Sequence, residues 1–337
     1  MRRGLLFSLL LLTVILAGCG GGSSSYATIT TENAISVRRV GILDGHIGGV
    51  NSVVWSPDGD TLASGGDDSA IYLWKPGTGE EVRHWTAHRL AVTSLAYSPD
   101  GEMLASGGRD GALTLWNPES GEQLRTWSDT DQILTLAFTP DGTLLAAGGR
   151  SNTVNLLDPA TLSVVRTITD FGGRVNSLAF SPDNTKLATA AHDGKLQVWD
   201  VATGDNLLSI DDQQAGETAV AFSPDGTKIA TGTANAKITI WDAATADILA
   251  QASGPIGIIR SVAFSSDSTM LASASADYST YIWDVATGKR LGPGQANEQN
   301  QFGHHSEVNT VSWRPDSTML ATGSYDQDIF LWAVQME

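Results

Sequence analysis

Cysteine and positive charge are both scarce in this chain. Cys19 is the only cysteine among 337 residues, which excludes an internal disulfide framework and a zinc site built on several cysteines. The 20 Lys and Arg residues are outnumbered by 37 Asp and Glu residues, so the formal net charge is −17. Because binding to a phosphate backbone requires clustered cations, we expect no nucleic-acid partner.

The sequence also lacks an apolar run long enough to cross a bilayer. The run from Leu5 to Leu16 has 12 residues, two of them polar, whereas a spanning helix needs roughly 20. It follows the basic pair Arg2 and Arg3. This arrangement predicts a signal peptide over residues 1–18 rather than a membrane-spanning helix.

The apolar run ends in a short motif that contains the single cysteine. Leu16-Ala17-Gly18-Cys19 resembles the cleavage and lipidation signal of bacterial lipoproteins. The resemblance implies cleavage before Cys19 and acyl chains on its thiol, which would anchor the protein outside the cytoplasm to a bacterial membrane, inner or outer. The alternative is an ordinary secreted protein with a chance cysteine. Residues 19–33 begin with a Gly/Ser tract that predicts a flexible tether.

Glycine, by contrast, is frequent, and its 36 residues predict many tight turns. An aromatic residue followed by a turn recurs seven times, at Trp55, Tyr97, Phe138, Phe180, Phe222, Phe264 and Trp313. The successive spacings are 42, 41, 42, 42, 42 and 49 residues. A second large apolar residue follows each aromatic after 19 residues, at Trp74, Trp116, Leu157, Trp199, Trp241, Trp283 and Trp332. This regularity indicates seven copies of one structural unit.

Within each unit the hydrophobic residues alternate with a period of two, which is typical of β-strands. The second unit shows four predicted strands, Val92–Tyr97, Met103–Gly107, Ala112–Trp116 and Gln123–Trp127, separated by turn-forming residues. Seven such units resemble the WD-repeat family of β-propellers over residues 34–337, and the family's dipeptide occurs at Trp199-Asp200, Trp241-Asp242 and Trp283-Asp284. The resemblance implies an all-β, seven-bladed propeller of four-stranded antiparallel blades.

The ends of the repeat region predict how the ring closes. The chain stops five residues after Trp332, so the seventh blade lacks its fourth strand. A strand-like segment, Ala34–Leu43, precedes the first blade. We expect this N-terminal segment to complete the last blade, which removes an open sheet edge.

The resemblance also implies a buried polar tetrad of His, Ser or Thr, Asp and Trp in each complete blade. The complete sets are His46, Ser64, Asp68 and Trp74 in blade 1, His88, Ser106, Asp110 and Trp116 in blade 2, and His304, Thr322, Asp326 and Trp332 in blade 7. Blade 3 departs from the pattern entirely, with Asp129, Ala147, Ser151 and Leu157, and blades 4 to 6 lack the His. Since a partly satisfied network is costly, we expect blades 4 to 6 to be softer.

The sequence contains no recognisable catalytic or metal-binding motif. The neighbours His304 and His305 would point to opposite faces of a strand, so we expect no metal. Each complete tetrad contains Ser or Thr, His and Asp, but its hydroxyl is expected to be buried against Trp, which excludes a nucleophile. We therefore expect no enzyme activity and no cofactor.

What remains is the surface, whose orientation follows from the resemblance. The Ser-Pro-Asp turns and the loops after each Trp would form a bottom face that is rich in Asp and Glu. The other loops would form a top face, with seven candidate partner-binding residues, Arg89, Arg109, Arg150, Arg174, His192, Arg260 and Tyr325.

The sequence thus predicts a monomeric, membrane-anchored, extracytoplasmic scaffold that binds protein partners. Two alternatives stay open, a propeller that binds a cell-envelope glycan or peptide in its top central cavity, and an accessory subunit of an envelope enzyme. The role of the insertion within residues 292–303 is also open.

Overall fold

The computed structural model describes residues 26–129, 131–211, 216–252, 254–292 and 303–336. The predicted signal peptide, Cys19 and most of the insertion before blade 7 lie outside these residues. The described chain forms seven antiparallel sheets, which confirms the predicted seven-bladed propeller. No helix of this described part is long and apolar enough to span a bilayer.

Blades 1 to 6 each consist of four strands that are adjacent in sequence order, with the first strand innermost. Blades 1 to 3 consist of Val50–Trp55, Leu62–Gly66, Ala70–Lys75 and Glu80–Thr86; Val92–Tyr97, Leu104–Gly108, Ala112–Trp116 and Gln123–Ser128; and Ile133–Phe138, Leu145–Gly149, Val154–Leu157 and Val164–Ile168.

Blades 4 to 6 consist of Val175–Phe180, Lys186–Ala191, Lys195–Asp200 and Asn206–Asp211; Glu217–Phe222, Lys228–Thr233, Ile238–Asp242 and Ile248–Ala252; and Ile259–Phe264, Met270–Ser275, Thr280–Asp284 and Arg290–Gly292. Blade 7 contributes Val308–Trp313, Met319–Ser324 and Ile329–Gln335 from the C-terminal end of the chain.

Small residues in the second strands let neighbouring blades pack closely. A Cβ on Gly65 of blade 1 would lie 2.5 Å from the Val92 side chain of blade 2, and a Cβ on Gly232 would lie 2.4 Å from Ile259. Gly107 and Gly323 make the same close approach to Ile133 and Val50 of the next blade. The result is a continuous core of apolar clusters between successive blades.

The turn that follows the inner strand of each blade, on the bottom face, carries one residue with positive φ. Four of these residues are glycines, which adopt this conformation without steric cost. The other three are Asn184, Ser268 and Ser317. Each of their side chains accepts a hydrogen bond from a backbone N–H in the preceding blade's turn, at 3.0–3.1 Å. The non-glycine turns thus link neighbouring blades along the bottom face.

The ring closes through the N-terminal chain, as predicted. Arg38–Leu43 pairs antiparallel with Ile329–Gln335 and completes blade 7; we call it the closure strand. The strand is shorter than the predicted segment 34–43, because Ala34–Ser36 forms a 3₁₀ turn instead.

Residues 26–33, assigned to the tether by composition, belong to the propeller. Tyr26–Ala27 pairs with the end of the same C-terminal strand, and Ile29 is fully buried. The prediction of a flexible tether was wrong for these residues, because the buried Ile29 side chain holds this otherwise polar stretch against the propeller.

Candidate functional site

The structure brings the four tetrad side chains together in blades 1, 2 and 7. In blade 1 the Trp74 indole N–H donates to the Ser64 hydroxyl at 2.8 Å, and that hydroxyl lies 2.8 Å from His46 Nε2. His46 Nδ1 lies 2.8 Å from the Asp68 carboxylate. The corresponding distances are 2.7–3.0 Å in blade 2 and 2.9–3.0 Å in blade 7.

The tetrads hold loops of the top face in place. The Asp110 carboxylate accepts hydrogen bonds from the backbone N–H groups of Arg89 and Ala112 at 2.8 and 3.1 Å. The Ser64, Ser106 and Thr322 hydroxyls are fully buried and already shared between Trp and His. A substrate therefore has no approach to them.

The pKa values agree with a structural role for the tetrads. Burial alone would raise the pKa of Asp110, but hydrogen bonds from Arg89 N–H, Ala112 N–H and His88 outweigh it and lower this pKa. Burial lowers the pKa of His88, against the attraction of Asp110. Both shifts favour an ionised carboxylate beside a neutral imidazole at neutral pH.

Blades 4 and 6 use other residues in place of the missing histidine. In blade 6 the Tyr281 hydroxyl, from the third strand, donates to Asp277 at 3.0 Å, and burial raises the pKa of Tyr281 to about 12. In blade 4 the Phe171 ring occupies the histidine position in sequence and packs against Trp199, with ring centroids 5.1 Å apart. Neither substitute is predicted by the tetrad pattern, because Tyr281 lies outside the four tetrad positions and the Phe171 ring is apolar.

The Trp-to-hydroxyl bond is kept in blades 4, 5 and 6, at 2.8–3.0 Å. In blade 3 the Ser151 hydroxyl donates to Asp129 at 3.1 Å instead. Two buried oxygens near the altered tetrads, Gln197 Oε1 and Thr239 Oγ1, have no partner among the described residues. The softness expected of blades 4 to 6 stays a prediction.

The bottom face is built from turns whose carboxylates serve the turns themselves. The Ser56 hydroxyl donates to Asp58 at 2.5 Å and the Asp60 N–H donates at 2.9 Å, and these bonds lower the pKa of Asp58. Blade 2 repeats the pattern at Ser98 and Asp100. These carboxylates are therefore ionised at neutral pH and give this face its negative charge.

The top face opens into a central cavity that is lined by arginines. The cavity has a volume of about 560 Å³. Its lining residues are Arg109, Gln132, Leu134, Arg150, Arg174, Asn176, Thr218 and Arg260. Four of the seven candidate partner-binding residues thus share one site, while Arg89, His192 and Tyr325 lie outside this lining.

The four arginines differ in how far their charge is neutralised. Arg260 forms a 2.5 Å ion pair with Glu307 of blade 7, and Arg109 lies 3.7 Å from Asp67 of blade 1. Arg174 donates to the neutral side chain of Asn176 at 2.9 Å. The Arg150 guanidinium has no hydrogen bond or ion pair within the described ranges. The cavity mouth therefore carries two uncompensated positive charges in a strongly acidic protein.

The described residues contain no group of three or more His, Cys, Asp or Glu side chains that could hold a metal ion. The cavity instead offers guanidinium groups, which bind carboxylates through paired hydrogen bonds. This chemistry suits recognition of an anionic group.

Comparison with known proteins gives two overlapping family matches. The family model described as IFT122 first beta-propeller matches residues 24–217. The model described as Nucleolar protein 10-like, N-terminal domain, matches residues 135–332. A shorter similarity, 39% identity over 62 residues, exists to a subunit of chromatin assembly factor 1 from Schizosaccharomyces pombe. That match covers 18% of this chain and only 12% of the relative.

Proposed function

The chain belongs to the WD-repeat β-propeller family, whose fold is typical of protein-interaction scaffolds, and from this premise we propose that it is a non-catalytic scaffold that binds protein partners on its top face. The observation that carries the proposal is the arginine-lined cavity at the centre of that face. Arg150 and Arg174 come from neighbouring blades and are not engaged in ion pairs within the described part of the chain. Arginine on a rigid surface is typical of residues that dominate binding energy.

Exposed aliphatic side chains surround the cavity on the same face and support this choice of surface. Ile47 is 83% exposed and Ile256 is 79% exposed, and both lie in loops that enter the inner strands. Leu90, in the equivalent loop of blade 2, is also exposed. A cationic centre with apolar side chains beside it fits a protein partner better than an uncharged glycan.

Reversing the two uncompensated charges should abolish partner binding. We expect the double variant Arg150→Glu and Arg174→Glu to lose partners that the wild-type protein retains from membrane extracts, because two carboxylates would then face the partner. Removing one partner of a buried charge pair costs about 2–5 kcal/mol. Since every ~1.4 kcal/mol changes an affinity tenfold, the affinity for the partner should fall by more than about 30-fold. The measurement is affinity capture, with bound proteins quantified by mass spectrometry.

Arg125→Glu is the matched control, because Arg125 is exposed on the outer strand of blade 2, away from the top face. This variant should capture the same partners as the wild type. An unchanged set of captured proteins for the double variant would show that the top cavity is not the binding site.

We further propose that Cys19 carries acyl chains and anchors the scaffold outside the cytoplasm. The support is the Leu-Ala-Gly-Cys motif, its position after the apolar run, and the Gly/Ser residues that follow it. Tyr26 pairs with Gln335 at the bottom end of blade 7. A tether from this point would leave the top face directed away from the membrane. We propose that the propeller acts as a monomer.

Replacing the cysteine should release the protein from the membrane or leave its leader uncleaved. In Cys19→Ala cells we expect the protein to move to the soluble fraction or to keep residues 1–18, since no acyl chain can be attached. Fractionation and intact mass measure both outcomes, with Ser23→Ala as a control. An unchanged mass and membrane fraction would contradict lipidation.

A further inference from the structure

The junction between blades 6 and 7 binds a segment of the chain itself. Ile29 is fully buried and belongs to one hydrophobic cluster with Met270, Ile282 and Trp313. Its backbone N–H donates to the carbonyl of Ser317, in the bottom turn of blade 7, at 2.9 Å. This junction is therefore a groove that accepts an extended segment through one aliphatic side chain and a backbone hydrogen bond.

The corresponding groove between blades 1 and 2 is open. The repeat places Leu73 and Tyr97 where blades 6 and 7 have Ile282 and Trp313, and Gly101 where they have Ser317. These residues line a cavity of about 920 Å³ on the bottom face. Its walls include Val82, which is 53% exposed. The groove between blades 1 and 2 thus has an apolar site and a backbone carbonyl at the positions equivalent to those that hold Ile29 between blades 6 and 7.

The junction between blades 3 and 4 shows how this groove can be closed. Arg166 crosses it and donates to the carbonyls of Ala202 and Thr203, both at 2.6 Å. Val201 is buried there, and its N–H donates to Thr185 at 3.0 Å. The remaining cavity measures only about 390 Å³.

The hydrogen bonds of both closing devices are missing between blades 1 and 2. Pro118 occupies the position of Val201 and has no N–H to donate. Arg83 occupies the position of Arg166 and lies against Gly121 of blade 2, as Arg166 lies against Gly204. Its guanidinium, however, has no hydrogen bond or ion pair within the described part of the chain. The open groove therefore follows from the sequence of these two blades.

The charges around the open groove define what it can bind. Its lining contains Asp58, Asp100, Glu102 and Glu119 and no Lys or Arg. We propose that this groove is a second docking site, which binds an extended segment of a partner protein with one aliphatic anchor flanked by Lys or Arg. The anchor would lie as Ile29 does, and the cations would face the four carboxylates.

A labelled peptide tests the proposal. It has the sequence of residues 26–37 with the substitutions Thr30→Lys, Thr31→Lys and Glu32→Lys. We expect saturable binding to the full chain by fluorescence anisotropy. Replacing its Ile29 with Ala should weaken binding at least tenfold, because most of the apolar side chain that anchors the segment is removed. Absence of binding would overturn the proposal.

Variants of the protein locate the site. Val82→Lys should weaken peptide binding at least tenfold, whereas Leu249→Lys should leave it unchanged, because Leu249 is the equivalent exposed residue of blade 5. Equal effects of both variants would overturn the assignment. A photoreactive residue at the Ile29 position of the peptide should cross-link to blades 1 and 2; cross-links confined to blades 6 and 7 would contradict the site.

Binding of the unmodified 26–37 peptide distinguishes a cationic partner segment from the N-terminal segment of a second copy. Weaker binding of this peptide supports a cationic partner, whereas equal binding would overturn the charge requirement and indicate the N-terminal segment of a second copy. The Arg150→Glu and Arg174→Glu variant should bind the lysine peptide normally, so failure of the top-face proposal is distinguishable from failure of this one.

Discussion

A chain that starts at Asp44 should not fold into a stable propeller. It lacks the closure strand and, besides Ala34, the three larger buried apolar side chains Ile29, Val37 and Leu43. Each such side chain contributes about 1.5–3 kcal/mol, so the loss is roughly 5–9 kcal/mol, against a total stability of about 5–15 kcal/mol for a typical domain. The bare edge of Ile329–Gln335 should also promote aggregation.

Graded truncations separate the contributions to closure. Chains starting at Tyr26, Arg38 and Asp44 should show successively lower stability in urea denaturation, and the first should match the full chain without its leader. A deletion of residues 20–31, most of the predicted tether, should also lower the stability, because it removes Ile29 and the Tyr26–Ala27 pairing. If the chains starting at Tyr26 and Asp44 unfold at the same urea concentration, closure by this segment contributes nothing.

Replacing Asp110 with Ala should destabilise the propeller by roughly 3–5 kcal/mol. The carboxylate accepts hydrogen bonds from His88, Arg89 and Ala112, and the His88 side chain is fully buried. Leaving a buried donor without its acceptor costs about 1–3 kcal/mol each, and more for charged groups. The loss should appear as a fall in the melting temperature of roughly 5–10 °C.

Blade 3 provides the matched control for this experiment. Ser151 occupies the Asp110 position there and hydrogen-bonds to Asp129, which replaces the histidine. Ser151→Ala removes one hydroxyl near the surface and should cost only about 1 kcal/mol. Comparable losses for Asp110→Ala and Ser151→Ala would mean that the tetrad adds no more stability than a simple hydrogen bond.

The repeat made most of the fold predictable from the sequence. The aromatic residues, such as Trp55 and Tyr97, and the Trp residues 19 positions later mark the ends of strands whose hydrogen bonds are local. In blade 2 the predicted strand bounds agree with the structure to within a residue; for example, the predicted Met103–Gly107 is Leu104–Gly108. A local pattern of period two contains all the information that such hairpins require.

Other features depend on residues that are distant in the chain and lack a local signal. Ile29 packs against blades 6 and 7 and binds Ser317, so its surrounding polar residues suggested only a tether. The positions of the loops in the repeat predicted that Arg109, Arg150, Arg174 and Arg260 lie on one face, where they line one cavity. The ion pairs of Arg109 with Asp67 and of Arg260 with Glu307 each join different blades, so no local pattern indicates them. Charge balance at the cavity therefore became visible only in three dimensions.

The route of the N-terminal chain has a mechanical consequence. Any tension applied upstream of Tyr26 is transmitted to the seam between the two ends of the protein. It would first peel the two-residue pairing of Tyr26–Ala27, next extract Ile29, and only then load the six residues of Arg38–Leu43. Detachment should thus require increasing force at each stage, with the blades yielding last.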